Sequence, residues 1–314
     1  MSEQVDFTVL ENGLDFISSA LGYLEGDPSP RDLKYAVLHL SAGIELILKD
    51  RLRREHWSLV FADMDKADLG AYSRGDFVSV DLRTAMDRLG KICNVNIREG
   101  DRQALNNLRR SRNRLEHFAC PEAPAALKAT TAEVLCFVID FVARELPVDG
   151  FTEIEAKLLD DIRKMLPAFR QFVEDRMAKI ESVLNASEGP LLECPTCLQD
   201  TMEVAGGVHC AFCNYSACGE DGAEDFVQSV LGIDWRSVQD GDELPIYVCP
   251  ECDAEALVYS DMSASGFPGA QFLCFSCGAN WDWGEMDFCI VCGAPFPQDQ
   301  GERSSVCDRC QQGW

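Results

Sequence analysis

The chain has 314 residues, 46% of them hydrophobic, and a formal net charge of −25. That size admits two or more domains with ordinary cores. No run of about 18 apolar residues occurs, so no membrane span is predicted, and the acidic opening MSEQVDFTVLENG lacks the layout of a signal peptide, which makes the cytosol the expected location.

In chain order, residues 5–25 place Phe7, Leu10, Leu14, Ile17, Leu21 and Leu24 at helical spacing. GDPSP interrupts, and Pro30 is well placed to begin a long helix over 30–56. Its inward residues are Leu33, Val37, Leu40, Ile44, Ile47 and Leu48. Residues 57–78 read as a loop. Ser79 or Asp81 is suited to cap a short helix to about 92, and Asp101 a helix to about 118. An apolar helix follows over 124–145, then a long one over 151–185 that Pro167 should kink. No alternating strand pattern appears before residue 190. The expectation is an all-α bundle over 1–148, with a helical connector over 149–190.

The texture then changes. Residues 191–314 hold three arginines and no lysine against 21 acids, a net of −18, whereas residues 1–190 carry −7. Such asymmetry points to domains with different partners. Thirteen of the 16 cysteines lie here, and twelve form six Cys-x-x-Cys pairs. A disulfide framework would suit a secreted protein, but nothing indicates secretion. In a cytosolic chain the pairs predict metal sites. Taken in order they give Cys194, Cys197, Cys210 and Cys213; Cys249, Cys252, Cys274 and Cys277; and Cys289, Cys292, Cys307 and Cys310. Interleaved ligation would use the same residues.

Two residues between cysteines let one tight turn aim both thiolates at one ion. The segments between pairs suit β-hairpins. These stretches resemble zinc ribbons, expected over 191–220, 245–280 and 285–314, with a small helix at 223–232. Four sulfur ligands leave no open position, so three structural Zn2+ sites are expected. His209 is an alternative ligand and Cys218 a spare thiol. Each zinc with four thiolates adds about −2 to an acidic region. That disfavours nucleic acid and favours a protein partner, an inhibitor or regulation at the ribbons.

One stretch runs against the acidic trend. From Arg98 to His117 there are six arginines against three acids. On a helix, Arg109, Asn113 and His117 share a face with Arg110 beside it, while Arg112 swings over from one side. Lys49 lies in a second basic cluster, at the end of the 30–56 helix. A solvated helix face is the plain alternative.

RNRLEH, Arg112 to His117, resembles the Arg–polar–x3–His motif of HEPN-domain ribonucleases, and AGIELILKDRL resembles a second helix of that family. The resemblance covers roughly residues 5–145. It implies a HEPN-like helical bundle, Arg112, Asn113 and His117 as catalytic residues, and Glu45 facing the motif. Lys49, Arg109 and Arg110 are candidates to hold the RNA backbone. It also implies a homodimer pairing two motifs, and a toxin or antiviral-defence role. Ala119 stands where one branch of the family has a modified Tyr.

The implied reaction is attack of a 2′-OH on the adjacent phosphate, giving a 2′,3′-cyclic phosphate. Histidine moves the proton and arginine stabilises the phosphorane, so no catalytic metal is needed. The alternative is a non-catalytic dimeric adaptor whose zinc ribbons recruit a protein partner.

Overall fold

In a computed structural model the described residues are 6–119, 121–147, 150–187, 189–233, 244–260, 271–298 and 304–311. The chain divides into two compact units, residues 1–178 and 179–314. No described helix is long and apolar enough to cross a membrane.

The first unit is helical. α1 (Val9–Gly22) and α2 (Pro30–Glu55) both open on capping boxes, Thr8 with Glu11 and Ser29 with Asp32, and Pro30 occupies the first turn of α2. The apolar stripes predicted for both helices are buried, from Leu10 to Leu24 and from Leu33 to Leu48. Phe7 departs from its stripe. It precedes the Thr8 cap and stands 49% exposed. Gly43 lets α1 and α2 cross closely: a Cβ there would lie 2.7 Å from Ile17 Cδ1 and 2.8 Å from the Gly13 carbonyl. α2 is the central element, packed against α1, α4 (Leu82–Lys91), α5 (Glu99–His117) and α6 (Pro124–Glu145).

Residues 57–78, expected as a loop, hold 3-10 turns at Trp57–Val60 and Met64–Lys66 and the short helix α3 (Leu69–Arg74). Their order comes from elsewhere in the chain. Arg88 on α4 is buried and donates to the carbonyls of Leu59, Phe61 and Ala62. Asp81, not Ser79, caps α4 through Thr84 N at 2.7 Å. α5 begins at Glu99, two residues before the cap predicted at Asp101, and no side chain caps it. Glu99 and Asp101 instead place negative charge in its positive first turn.

α7 (Glu153–Met165) packs on α1 and so belongs to the bundle rather than to a connector alone. The predicted kink is a full break. Pro167 sits in a 3-10 turn, Leu166–Ala168, before α8 (Arg170–Leu184), because proline lacks the N–H a continuous helix needs.

The second unit is built of small antiparallel sheets. β1 (Leu192–Glu193), β2 (Asp200–Val204), β3 (Val208–Cys210) and β4 (Ser216–Ala217) form one in sequential order. A second contains β5 (Ile246–Val248), β6 (Glu255–Ser260), β7 (Gln271–Cys274) and β8 (Asn280–Asp282). β9 (Met286–Phe288) and β10 (Pro295–Pro297) make a third, and α10 (Asp308–Gln311) follows.

α9 (Gly219–Ser229) starts four residues before the helix predicted at 223, because the Cys218 sulfur accepts from Asp221 N and caps it there. α9 is wedged between two ribbons. A Cβ on Gly222 would lie 2.5 Å from Val208 of the first, and Phe226 packs on Phe275 of the second with ring centroids 5.1 Å apart. Tyr247, Phe272 and Trp283 meet Phe288 in an aromatic cluster that joins the second ribbon to the third.

Candidate metal centres and candidate active site

Each group of four cysteines taken in chain order converges. All four sulfurs of a group lie within 4.8 Å of one another. Interleaved pairing is therefore not what the fold adopts.

Six copies of one turn do the aiming. The backbone N–H of the residue after each second cysteine donates to the carbonyl of the first: Leu198 to Cys194, Asn214 to Cys210, Asp253 to Cys249, Gly278 to Cys274, Gly293 to Cys289 and Gln311 to Cys307, at 2.8–3.0 Å. In the first five, that residue is left-handed, with φ from 55° to 79°. In those five the N–H of the first cysteine also bonds back to the carbonyl five residues on. The sixth turn runs into α10 instead.

The spacing of the sulfurs tests the fit of a metal. A tetrahedral ion with metal–sulfur bonds of about 2.3 Å holds its sulfurs about 3.8 Å apart, whereas a disulfide holds them about 2.05 Å apart. Cys194–Cys213 and Cys249–Cys277 are 3.8 Å apart, and Cys197–Cys210, Cys252–Cys274 and Cys292–Cys307 are 3.7 Å apart. The clusters match the first figure and suit zinc.

Without metal, the sulfurs of the first cluster polarise one another. Bonds with Cys194 and then Cys210 push the Cys197 thiol far up. Bonds from Cys194, Cys197 and Cys213, with the Thr201 hydroxyl at 3.2 Å, pull Cys210 far down. His209 lies on β3 opposite Ser216, outside the cluster, and Cys218 serves as a helix cap. Of the three cysteines in the bundle, Cys136 is buried and Cys93 half-buried, while Cys120 falls outside the described residues.

The basic stretch forms the outer end of α5. Ala104, Leu105, Leu108 and Ser111 face the core, and Asn113 and His117 face solvent. Arg112 Nη1 lies 3.2 Å from Asn113 Oδ1 and 2.8 Å from Glu116 Oε2. The same Glu116 oxygen is 3.6 Å from His117 Nε2. Arg112 thus pairs with the Glu116 carboxylate, and His117 lies near the same oxygen but beyond hydrogen-bond reach. In the sequence Glu116 is legible only as a charge; its i,i+4 spacing from Arg112 is the available signal. Ser111 and Arg114 both bond Glu122, which ties down the chain after the helix.

The supporting residues fall elsewhere. Lys49 is drawn to Glu45 at 2.6 Å and to Ser79 at 2.8 Å. Among the described residues no hydrogen bond or ion pair joins either to Arg112 or His117. Arg109 is half-buried, with its Nε sealed from solvent and lacking a hydrogen bond. It adds to the fields that hold the Asp81 carboxyl below its ordinary range, after the larger effect of the Thr84 N–H. Arg110 projects into solvent. No family model, curated protein or solved structure matches this chain.

Proposed function

We propose that the chain is a metal-independent endoribonuclease of HEPN type, with a C-terminal array of three structural zinc ribbons. The observation that carries this reading is the placement of Arg112 and His117 beside a single carboxylate oxygen at the exposed end of α5. A guanidinium and an imidazole that lie near one anionic oxygen are placed to meet a phosphate oxygen in its stead.

The chemistry follows from these groups. The 2′-OH of RNA attacks the adjacent phosphorus, and the bond to the 5′ oxygen breaks. The products are a 2′,3′-cyclic phosphate and a 5′-OH. Arg112 balances the charge that gathers on the phosphorane, and Asn113 holds Arg112 or the phosphate in place. A histidine titrates near neutrality and serves as acid or base, but one copy supplies one His117. A homodimer supplies the second, and the 68% exposure of the His117 side chain leaves it accessible to that second copy. The ribbons, at −18, fit a protein partner or inhibitor better than phosphate. Toxin or antiviral defence is the setting this reading implies.

The test is cleavage of total RNA by the full-length protein without added divalent cation, with the fragment ends identified. Cyclic phosphate ends are expected, with a loss of about 100-fold or more in both Arg112→Ala and His117→Ala. Equal cutting by wild type and both variants, or none by any, removes the catalytic reading and leaves the dimeric adaptor.

A further inference from the structure

The three cysteine clusters share the Cys-x-x-Cys spacing, yet they differ in access. In the first, Cys194, Cys197, Cys210 and Cys213 are all buried. In the second, Cys252 and Cys277 are exposed, one from each turn. In the third, Cys292 is exposed and Cys310 half-exposed, again one from each turn. The third cluster also has the smaller sheet, two strands against four for each of the others.

We infer that the second and third clusters are oxidation sites, at which a peroxide converts zinc-bound thiolates to disulfide and releases the ion, while the first cluster keeps its zinc. The inference rests on the zinc reading given above and not on the ribonuclease.

The reactive form of cysteine is the thiolate, and a metal keeps it deprotonated; access then decides which one reacts. In the second cluster the Cys252 thiolate attacks one peroxide oxygen to give the sulfenic acid, the O–O bond breaks, and the departing hydroxide takes a proton from solvent to leave as water. The Cys277 thiolate, within 4.8 Å, attacks that sulfur and expels hydroxide, which takes a proton to leave as a second water. Two electrons pass from the two thiolates to the peroxide. Cys249 and Cys274 would then be the two sulfurs left, too few to hold a zinc ion. Cys292 and Cys310 play the same parts in the third cluster. Such a pair bridges the two turns of its ribbon, so oxidation ties together two arms that the ion held before.

The experiment uses the full-length protein. Zinc is first counted by mass spectrometry of the metal, and three ions per chain are expected; fewer overturn the zinc reading itself. Hydrogen peroxide is then added beside a chromophoric zinc chelator. Two ions are expected to leave at least about tenfold faster than the third, because a buried site reacts only when it opens locally. Peptide mapping should find disulfides in the second and third clusters, with the first still alkylated after denaturation. Release of all three ions at one rate overturns the inference. So do retention of all three and earlier oxidation of the first cluster. The variant Cys218→Ser removes the exposed spare thiol and should release zinc as the wild type does; loss of release there would assign the entry point to Cys218 instead.

Discussion

Gly219 opens α9 where the helix meets the second ribbon, and the effect of adding one methyl group there follows from the coordinates. A Cβ at this position would lie 2.4 Å from Ser276 Cα and 2.6 Å from Ser276 N, against 3.4–4 Å for an ordinary contact. These are backbone atoms, and Ser276 lies inside the Cys274–Cys277 turn, so no side chain is free to swing away. The helix and the turn must separate by about 1 Å, which in packed interiors costs about 1–3 kcal/mol. Alanine returns at most about 1 kcal/mol of helix propensity. Gly219→Ala should therefore destabilise this unit by about 1–2 kcal/mol. Urea unfolding followed by tryptophan fluorescence reads it, since Trp281 and Trp283 lie beside the same ribbon. With a slope of about 2 kcal/mol/M, the midpoint should fall by roughly 0.5–1 M. Gly100→Ala, in the first turn of α5 with nothing within 4 Å of the added Cβ, should leave stability unchanged or raise it by about 0.4–1 kcal/mol. A Gly219→Ala protein as stable as the wild type would refute the close approach.

Asp81→Ala should cost about 1 kcal/mol by removing the α4 cap, read as a lower melting temperature. The Asp81 carboxyl is depressed below 3.8 in the fold, so the cap contributes fully at neutral pH and is lost as pH falls. Wild type and variant should accordingly differ at pH 7, with the difference shrinking progressively as pH falls below about 4; a constant difference would contradict the assignment. Glu116→Gln, made in a His117→Ala background, frees Arg112 from a half-exposed ion pair that contributes about 0.3–0.5 kcal/mol. RNA binding measured by filter retention should tighten about twofold; weaker binding would make Glu116 a positioning residue instead of a competitor for phosphate.

Much of the fold was legible because its signals are local. The stripe of α2, its Pro30 start and the break at Pro167 each follow from neighbouring residues. Elements fixed from a distance were not legible. The turns at 57–66 depend on Arg88 reaching back more than 25 residues, and no pattern within 57–78 announces that guanidinium. The start of α9 was missed because a cysteine read as a spare thiol acts as its cap. At the candidate metal centres the spacing located the twelve cysteines that converge and their grouping in chain order. It could not grade them, since the clusters have the same Cys-x-x-Cys signature while their access depends on what covers them. At the basic helix the spacing located Arg112, Asn113 and His117, whereas Glu116 became visible only once side chains were placed.

The wedge formed by α9 gives the three ribbons unequal freedom to change over evolutionary time. The middle ribbon touches α9 on one side and the Phe288 cluster on the other, so its packing surfaces are constrained twice. The first ribbon is held through α9, where Gly222 meets Val208. The last is joined through Phe288 and through an ion pair of Arg309 with Asp253. Among the described residues the third ribbon packs on one neighbour, so its other surfaces are freer to change. Loss of the middle module would strip both others of their support. Among descendants of this architecture the central ribbon should accordingly change least.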